Sequence, residues 1–172
     1  VAHNENALFE LLTYQGTEAA DIHRAHSYYY GHYGQEVNVH KARQIFEQYP
    51  NNDDALVHLG RIHHIGQDGP VDIDLAEQYY LKAAEMKNIN AYNNLAVIYG
   101  AKNREEEALE LLEKAANQGH TSAKYNLAMK KIKIPENRTD GLRMLRELGD
   151  DGFVFAQFQF AQFERSGFAP FN

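Results

Sequence analysis

The chain has no cysteine and no tryptophan among its 172 residues. Without cysteine there is no disulfide framework, no thiolate metal site and no cysteine nucleophile. Proline is limited to 4 residues and glycine to 12, which excludes collagen-like and low-complexity chains. No apolar run approaches the roughly 18 residues that cross a membrane as a helix, and mean hydropathy is −0.60. No sustained heptad marks a coiled coil. Basic residues are outnumbered, 17 to 24, and the resulting net charge of −7 argues against a nucleic-acid partner. There is no Gly-x-x-x-x-Gly-Lys, no Gly-x-Ser-x-Gly and no dinucleotide fingerprint. The expectation is therefore a chain that is not an enzyme and carries no cofactor.

Hydrophobic residues are not lacking. They make up 44% of the chain, with 11 Tyr and 9 Phe, enough to build the core of one domain of this length. Their arrangement is periodic. Ala20, Ala55, Ala91, Ala123 and Ala156 open similar phrases at spacings of 35, 36, 32 and 33. A second series lies between them: Ala7, Ala42, Ala76, Ala108 and Gly141, spaced by 35, 34, 32 and 33. Two interleaved series with one period describe a repeating helix pair.

Within each phrase apolar residues recur at three and four, the helical period. Ala55, Leu59, Gly60 and His63 share a side, as do Ala91, Leu95, Ala96 and Tyr99. Ala76, Tyr79, Tyr80, Ala83 and Ala84 form the matching stripe of the second helix type. Small residues at fixed places let helix backbones approach, and Leu59, Leu95 and Leu127 fill the space between pairs. The periodicity predicts helices over 5–14, 18–30, 39–48, 54–65, 73–87, 90–100, 104–118, 121–132, 138–148 and 153–165. Asp53 and Asp54 stand where a cap is expected. Pro50, Gly66, Gly69, Pro70, Pro135 and Gly149 fall between helices. In the run Tyr28-Tyr29-Tyr30, Tyr28 is expected in the core, with Tyr29 or Tyr30 against the Gly31–Gly34 turn.

The segment from Asp54 to Glu85 resembles a Sel1-like repeat. The likeness rests on Ala55, Leu59-Gly60, Gly66, Gly69, Val71, Asp74, Ala76, Tyr80 and Lys82-Ala83-Ala84. The next repeat matches at Ala91, Leu95, Tyr99, Gly100, Ala108, Lys114-Ala115-Ala116 and Gln118-Gly119-His120 but has lost the glycine-rich turn. The resemblance runs over most of residues 5–165, clearest in the middle. It implies an all-α, tetratricopeptide-like solenoid of stacked antiparallel helix pairs, acting as an adaptor or assembly factor in bacterial envelope or signalling complexes. The expected organisation is one solenoid over residues 1–166, about four full pairs with terminal half-repeats, and a non-helical tail at 167–172. The resemblance also weights localisation towards the bacterial periplasm or envelope, with the cytoplasm as the alternative. The chain opens on Val1 rather than Met, so the expectation is a processed or trimmed chain.

The first helix of each pair should line the inner wall of such a stack. In register there lie His23, His58, Asn94, Asn126 and Gln159, and one turn on His26, Arg61, Val97, Met129 and Gln162. Amide side chains there can hydrogen-bond the backbone of an extended peptide. This ladder is the expected protein-binding site; the plain alternative is side chains that meet only water or each other. A second feature is basic: Lys124, Lys130, Lys131, Lys133, Arg138, Arg143 and Arg146 face only two acids in the same stretch, leaving it +5 and the rest of the chain −12. It could steer an acidic partner.

Nine histidines raise a metal reading. His23 and His26 lie three apart, and His58 holds the register of His23, so three imidazoles within reach could hold zinc in a metal-dependent enzyme. His-x-x-His is a common spelling, no His-Glu-x-x-His is present, and His63 sits where the repeat places a core tyrosine. Packed or surface histidines are the preferred reading, with no metal site expected. A purely structural module of a larger scaffold is the remaining alternative.

Overall fold

A computed structural model of the chain describes residues 7, 9, 10, 14 and 16–167. All regular structure among these residues is helical: α1 (Glu18–Tyr30), α2 (Val39–Phe46), α3 (Asp53–Ile65), α4 (Ile73–Glu85), α5 (Ile89–Ala101), α6 (Glu105–Asn117), α7 (Thr121–Lys133), α8 (Arg138–Asp150) and α9 (Val154–Arg165), with a 3₁₀ turn at Pro135–Asn137 before α8. These helices match nine of the expected segments to within one or two residues. Of helix 5–14, Ala7, Phe9 and Glu10 are helical and its other residues, Tyr14 apart, lie outside the described residues, as do residues 168–172 of the expected tail.

Capping shows why the helices start in register. Thr17 accepts from the amide of Ala20 at 3.2 Å, Asn52 from Ala55 at 2.8 Å, Asn88 from Ala91 at 3.1 Å and His120 from Ala123 at 3.0 Å. Each cap stands three residues before a repeat alanine, so cap and small residue travel together. Such a cap satisfies an amide that the helix itself leaves free, worth about 1 kcal/mol. Asp53 and Asp54 are not the caps: Asn52 takes that place, and both acids fall in the first turn of α3. There they suit the positive end of the helix dipole. α1 and α3 stop in the same way, at Gly31 (φ +71°) and Gly66 (φ +73°), in a left-handed conformation that glycine adopts without strain.

The chain divides into two compact units, residues 1–91 and 92–172. In the first, Ile22, Ala25 and Tyr29 of α1, Ala42, Ile45 and Phe46 of α2, and Ala55, Leu59 and Ile62 of α3 form one core. α4 packs closely on α3, because Gly60 admits the Tyr80 ring; a Cβ there would lie 2.5 Å from Tyr80 Cε1. In the second unit, Ala128 and Ile132 of α7, Leu142, Leu145 and Leu148 of α8 and Ala156 of α9 make the core. Gly141 serves the same purpose there, with a Cβ meeting the Ala128 carbonyl oxygen at 2.7 Å. Each large apolar side chain so buried contributes about 1.5–3 kcal/mol. Within the tyrosine run Tyr29, and not Tyr28, is the core residue. Tyr28 is half-buried against Phe9, and Tyr30 is exposed. Tyr29 follows Ile22 and Ala25 at the helical spacing that faces the core. No helix among the described residues is long and apolar enough to cross a membrane.

Candidate functional site

Two of the four expected inner-wall residues of the first unit, His26 and His58, meet at one carboxylate. Asp54 enters from the first turn of α3, and His58 stands one helical turn further on the same face. The His58 Nδ1 lies 2.9 Å from the Asp54 carbonyl oxygen and 3.5 Å from its Oδ1. His26, from α1, brings its Nε2 to 2.8 Å from Asp54 Oδ2. On its other side His58 Nε2 meets the Tyr30 hydroxyl at 3.1 Å. A carbonyl can only accept, so the His58 proton sits on Nδ1 and Tyr30 donates to Nε2. Phe46 stacks on His58 at 4.9 Å and 22°, and the His26 and His58 rings are 4.6 Å apart. Contact with His26, and then with His58, holds the Asp54 carboxyl well below the usual carboxylate range, against the opposing effect of its burial. His23 does not join these groups. It lies against Tyr33, with ring centres 5.2 Å apart, and lines the same surface groove as His26 and Asp54. Arg61 is exposed, with its guanidinium carbon 6.0 Å from the centre of the Tyr29 ring.

In the second unit the same register builds a cleft of about 340 Å³. Val97 of α5 and Met129 of α7 supply apolar wall, Asn126 an amide, and Lys130 and Lys133 a basic side. Val97 is 46% exposed. Asn126 donates to Asn93 at 2.9 Å, so its amide is oriented rather than free to turn. Asn94 is half-buried on α5. Gln159 is half-buried and Gln162 exposed on α9, and neither lines this cleft.

The basic segment is dispersed. Lys130 pairs with Glu105, and Arg143 pairs with Glu147 at 2.9 Å and Asp140 at 3.5 Å. Lys124 and Lys131 border a different hollow of about 400 Å³ that also holds Glu113, Glu147 and Asp151. Arg138 donates to the Ile132 carbonyl at 3.3 Å, and Arg146 faces a third hollow with Glu164. Only Lys130 and Lys133 of the seven stand at the cleft.

A family model described as plant tetratrico peptide repeats matches residues 74–159, half of the chain, and the Sel1 repeat model matches residues 18–48 and 53–88. The chain belongs to the Sel1-like, tetratricopeptide-like repeat family. Its fold class is the all-α solenoid of stacked antiparallel helix pairs. The crystal structure of a protective antigen present in uropathogenic Escherichia coli strains, displaying an SLR fold, is similar over 88% of this chain and 34% of its own, with 28% identity and a TM-score of 0.77. A Sel1 repeat protein from Oxalobacter formigenes shares the fold at 22% identity and a TM-score of 0.76, over 92% of this chain and 66% of its own. An F-box protein of Arabidopsis thaliana is 25% identical over 108 residues, 62% of this chain. The chain spans about a third of the length of that F-box protein (31%) and of the E. coli antigen (34%). Sel1-like repeats generally serve as protein–protein interaction scaffolds and are typically not enzymes.

Residue type alone does not single out Asp54 in this Sel1-like chain. A signal for it exists: Asp54 and His58 are four apart, hence neighbours on one helix face, and Asp54 opens the helix whose register points back to α1. The partnership of Tyr30 with His58 has no signal in spacing, because it joins a residue after the core tyrosine to a helix 28 positions away.

Proposed function

We propose that this Sel1-like chain is an adaptor or assembly factor that takes an extended protein segment in the cleft of its second unit. The observation that carries the reading is the convergence of Val97, Asn126 and Met129, three expected wall residues from two helices, in one concave site. An apolar side chain of the partner would sit against Val97 and Met129. The Asn126 amide would meet its backbone, in the manner of polar groups that fix orientation in a mostly apolar site. Lys133, beside a Lys130 that Glu105 already pairs at the cleft, favours an acidic residue next to that apolar anchor. Such exposed pairs add only about 0–1 kcal/mol each, so they select and steer more than they hold. Asn94, Gln159 and Gln162 would offer further amides to a longer segment, and His23, His26, His58 and Arg61 belong to the same register in the first unit.

The test is affinity capture from the lysate of the native cell, comparing the wild-type chain with a Val97→Asp/Met129→Asp variant whose helicity is checked by far-UV circular dichroism. A protein retained by the wild type and lost from the folded variant supports the cleft. Equal retention by both removes the cleft from the reading and leaves the scaffold role.

A further inference from the structure

The first unit holds a constellation that lies outside the second-unit cleft. His26, Asp54 and His58 each offer one donor atom, and the three atoms lie within 4.8 Å of one another. His26 comes from α1, and Asp54 and His58 from α3, the corresponding helices of successive repeats. The His26 Nε2 is buried and 2.8 Å from Asp54 Oδ2, yet it makes no hydrogen bond of acceptable direction to any described group. An ion held about 2.0–2.1 Å from nitrogen and oxygen donors keeps those donors roughly 3.3 Å apart. The Asp54 carboxylate meets the two imidazoles on its two oxygens, His26 Nε2 2.8 Å from Oδ2 and His58 Nδ1 3.5 Å from Oδ1, so small side-chain shifts would bring one donor of each residue onto an ion.

We propose that His26, Asp54 and His58 form a binding site for a divalent transition metal of the zinc class, which clips α1 to α3. Two imidazoles and a carboxylate are a donor set of intermediate softness, suited to zinc and its first-row neighbours rather than to calcium or magnesium. His58 would bind through Nδ1. Its single ring proton then moves to Nε2 and is donated to the Tyr30 hydroxyl, already 3.1 Å away. That contact orients the ring, as outer partners of metal-ligating histidines do. Phe46, fully buried, walls the inner side of both imidazoles. The outer side opens on the groove that His23, Asn52 and Glu18 also line, and the Asp54 side chain is 38% exposed there, so an ion has a way in. A fourth position is left to water. The ion's role would be structural, joining two repeats through side chains 28 to 32 residues apart in sequence.

The test is titration of the chelator-stripped 172-residue chain with zinc chloride in a calorimeter at pH 7.5. Cobalt(II) absorption serves as the second readout. Wild type and His63→Ala, a histidine outside the cluster, should bind one ion with equal affinity, and cobalt should give the visible bands of a site with nitrogen donors. His26→Gln and Asp54→Asn, both conservative and on half-buried side chains, should each weaken zinc binding at least tenfold while far-UV circular dichroism is unchanged. Zinc bound equally by wild type, His26→Gln and Asp54→Asn would overturn the proposal, as would absence of saturable binding to wild type.

Discussion

The two units use one repeat register to opposite ends. In residues 1–91 the expected inner-wall positions of the first-type helices carry His26 and His58, and these are tied up by Asp54, Tyr30 and Phe46. In residues 92–172 the equivalent positions carry Val97, Asn126 and Met129, and these line an open cleft. The backbone geometry is the same in kind; the side chains decide whether the face closes on itself or stays available. Register therefore locates a candidate site in a repeat protein, and local chemistry decides what the site is.

That contrast can be broken from the core outward. The largest effect should come from Phe46→Ala, which removes a fully buried ring that supports both histidines. It should cost about 3–5 kcal/mol, measured by urea unfolding. The open cleft does not depend on that ring, so a variant that stays folded should keep its partner. The two small-residue contacts come next. Gly60→Ala and Gly141→Ala each drive a Cβ into a neighbour at 2.5 and 2.7 Å. Overpacking of this kind costs about 1–3 kcal/mol, partly offset by the helix preference of alanine, up to about 1 kcal/mol. Gly141→Ala should be the worse, because its obstacles include backbone atoms of α7 while that of Gly60 is a ring. A smaller loss, about 1 kcal/mol, is expected for Asn52→Ala. It removes the cap of α3 and should be read as a lowered urea midpoint.

The electrostatic difference between the units gives a test in pH. The Asp54 carboxyl is held well below its ordinary range by His26 and His58. A depressed acid contributes stability that is complete above its unfolded value, near 3.9, and fades as pH falls towards its folded value. Acid unfolding followed by circular dichroism below about pH 4 should therefore be steeper for wild type than for Asp54→Asn. The smallest effect on stability is expected at the cleft. Val97→Gln changes an exposed side chain there and should lower the unfolding free energy from urea titration only slightly, by about 0.5 kcal/mol or less, while weakening partner capture. A large loss of stability would mean that the cleft wall is core and not binding surface.

Much of this was legible in residue order. The helices α1–α9 and the small residues that seat them follow from period and punctuation, which are local properties, except that Gly149, expected between helices, lies inside α8. The in-register caps were legible too, as Thr17, Asn52, Asn88 and His120, each three positions before a repeat alanine, whereas Asp53 and Asp54 fall inside the first turn. The site was legible as a list of positions and not as a set of contacts. His23 shares the spacing that suggested a three-histidine cluster, yet it turns towards Tyr33, and Asp54 takes the third place beside His26 and His58. The seven basic residues read as one patch along the chain, but successive residues of a helix point in different directions, and the structure spreads them over several surfaces.

The sequence by itself determined the family, the helical class, the repeat length and the small residues at the buried helix contacts. All of these are carried by residues within a few turns of one another, where helix geometry leaves little choice. Only the tertiary structure decided which inward side chains meet. It brought Tyr30 to His58, Asp54 to His26 and Tyr80 onto Gly60, pairs that are not local except through packing. The physical reason is one of scale: a helix face is fixed to within an ångström by its own backbone, whereas a contact between repeats depends on every side chain packed between them.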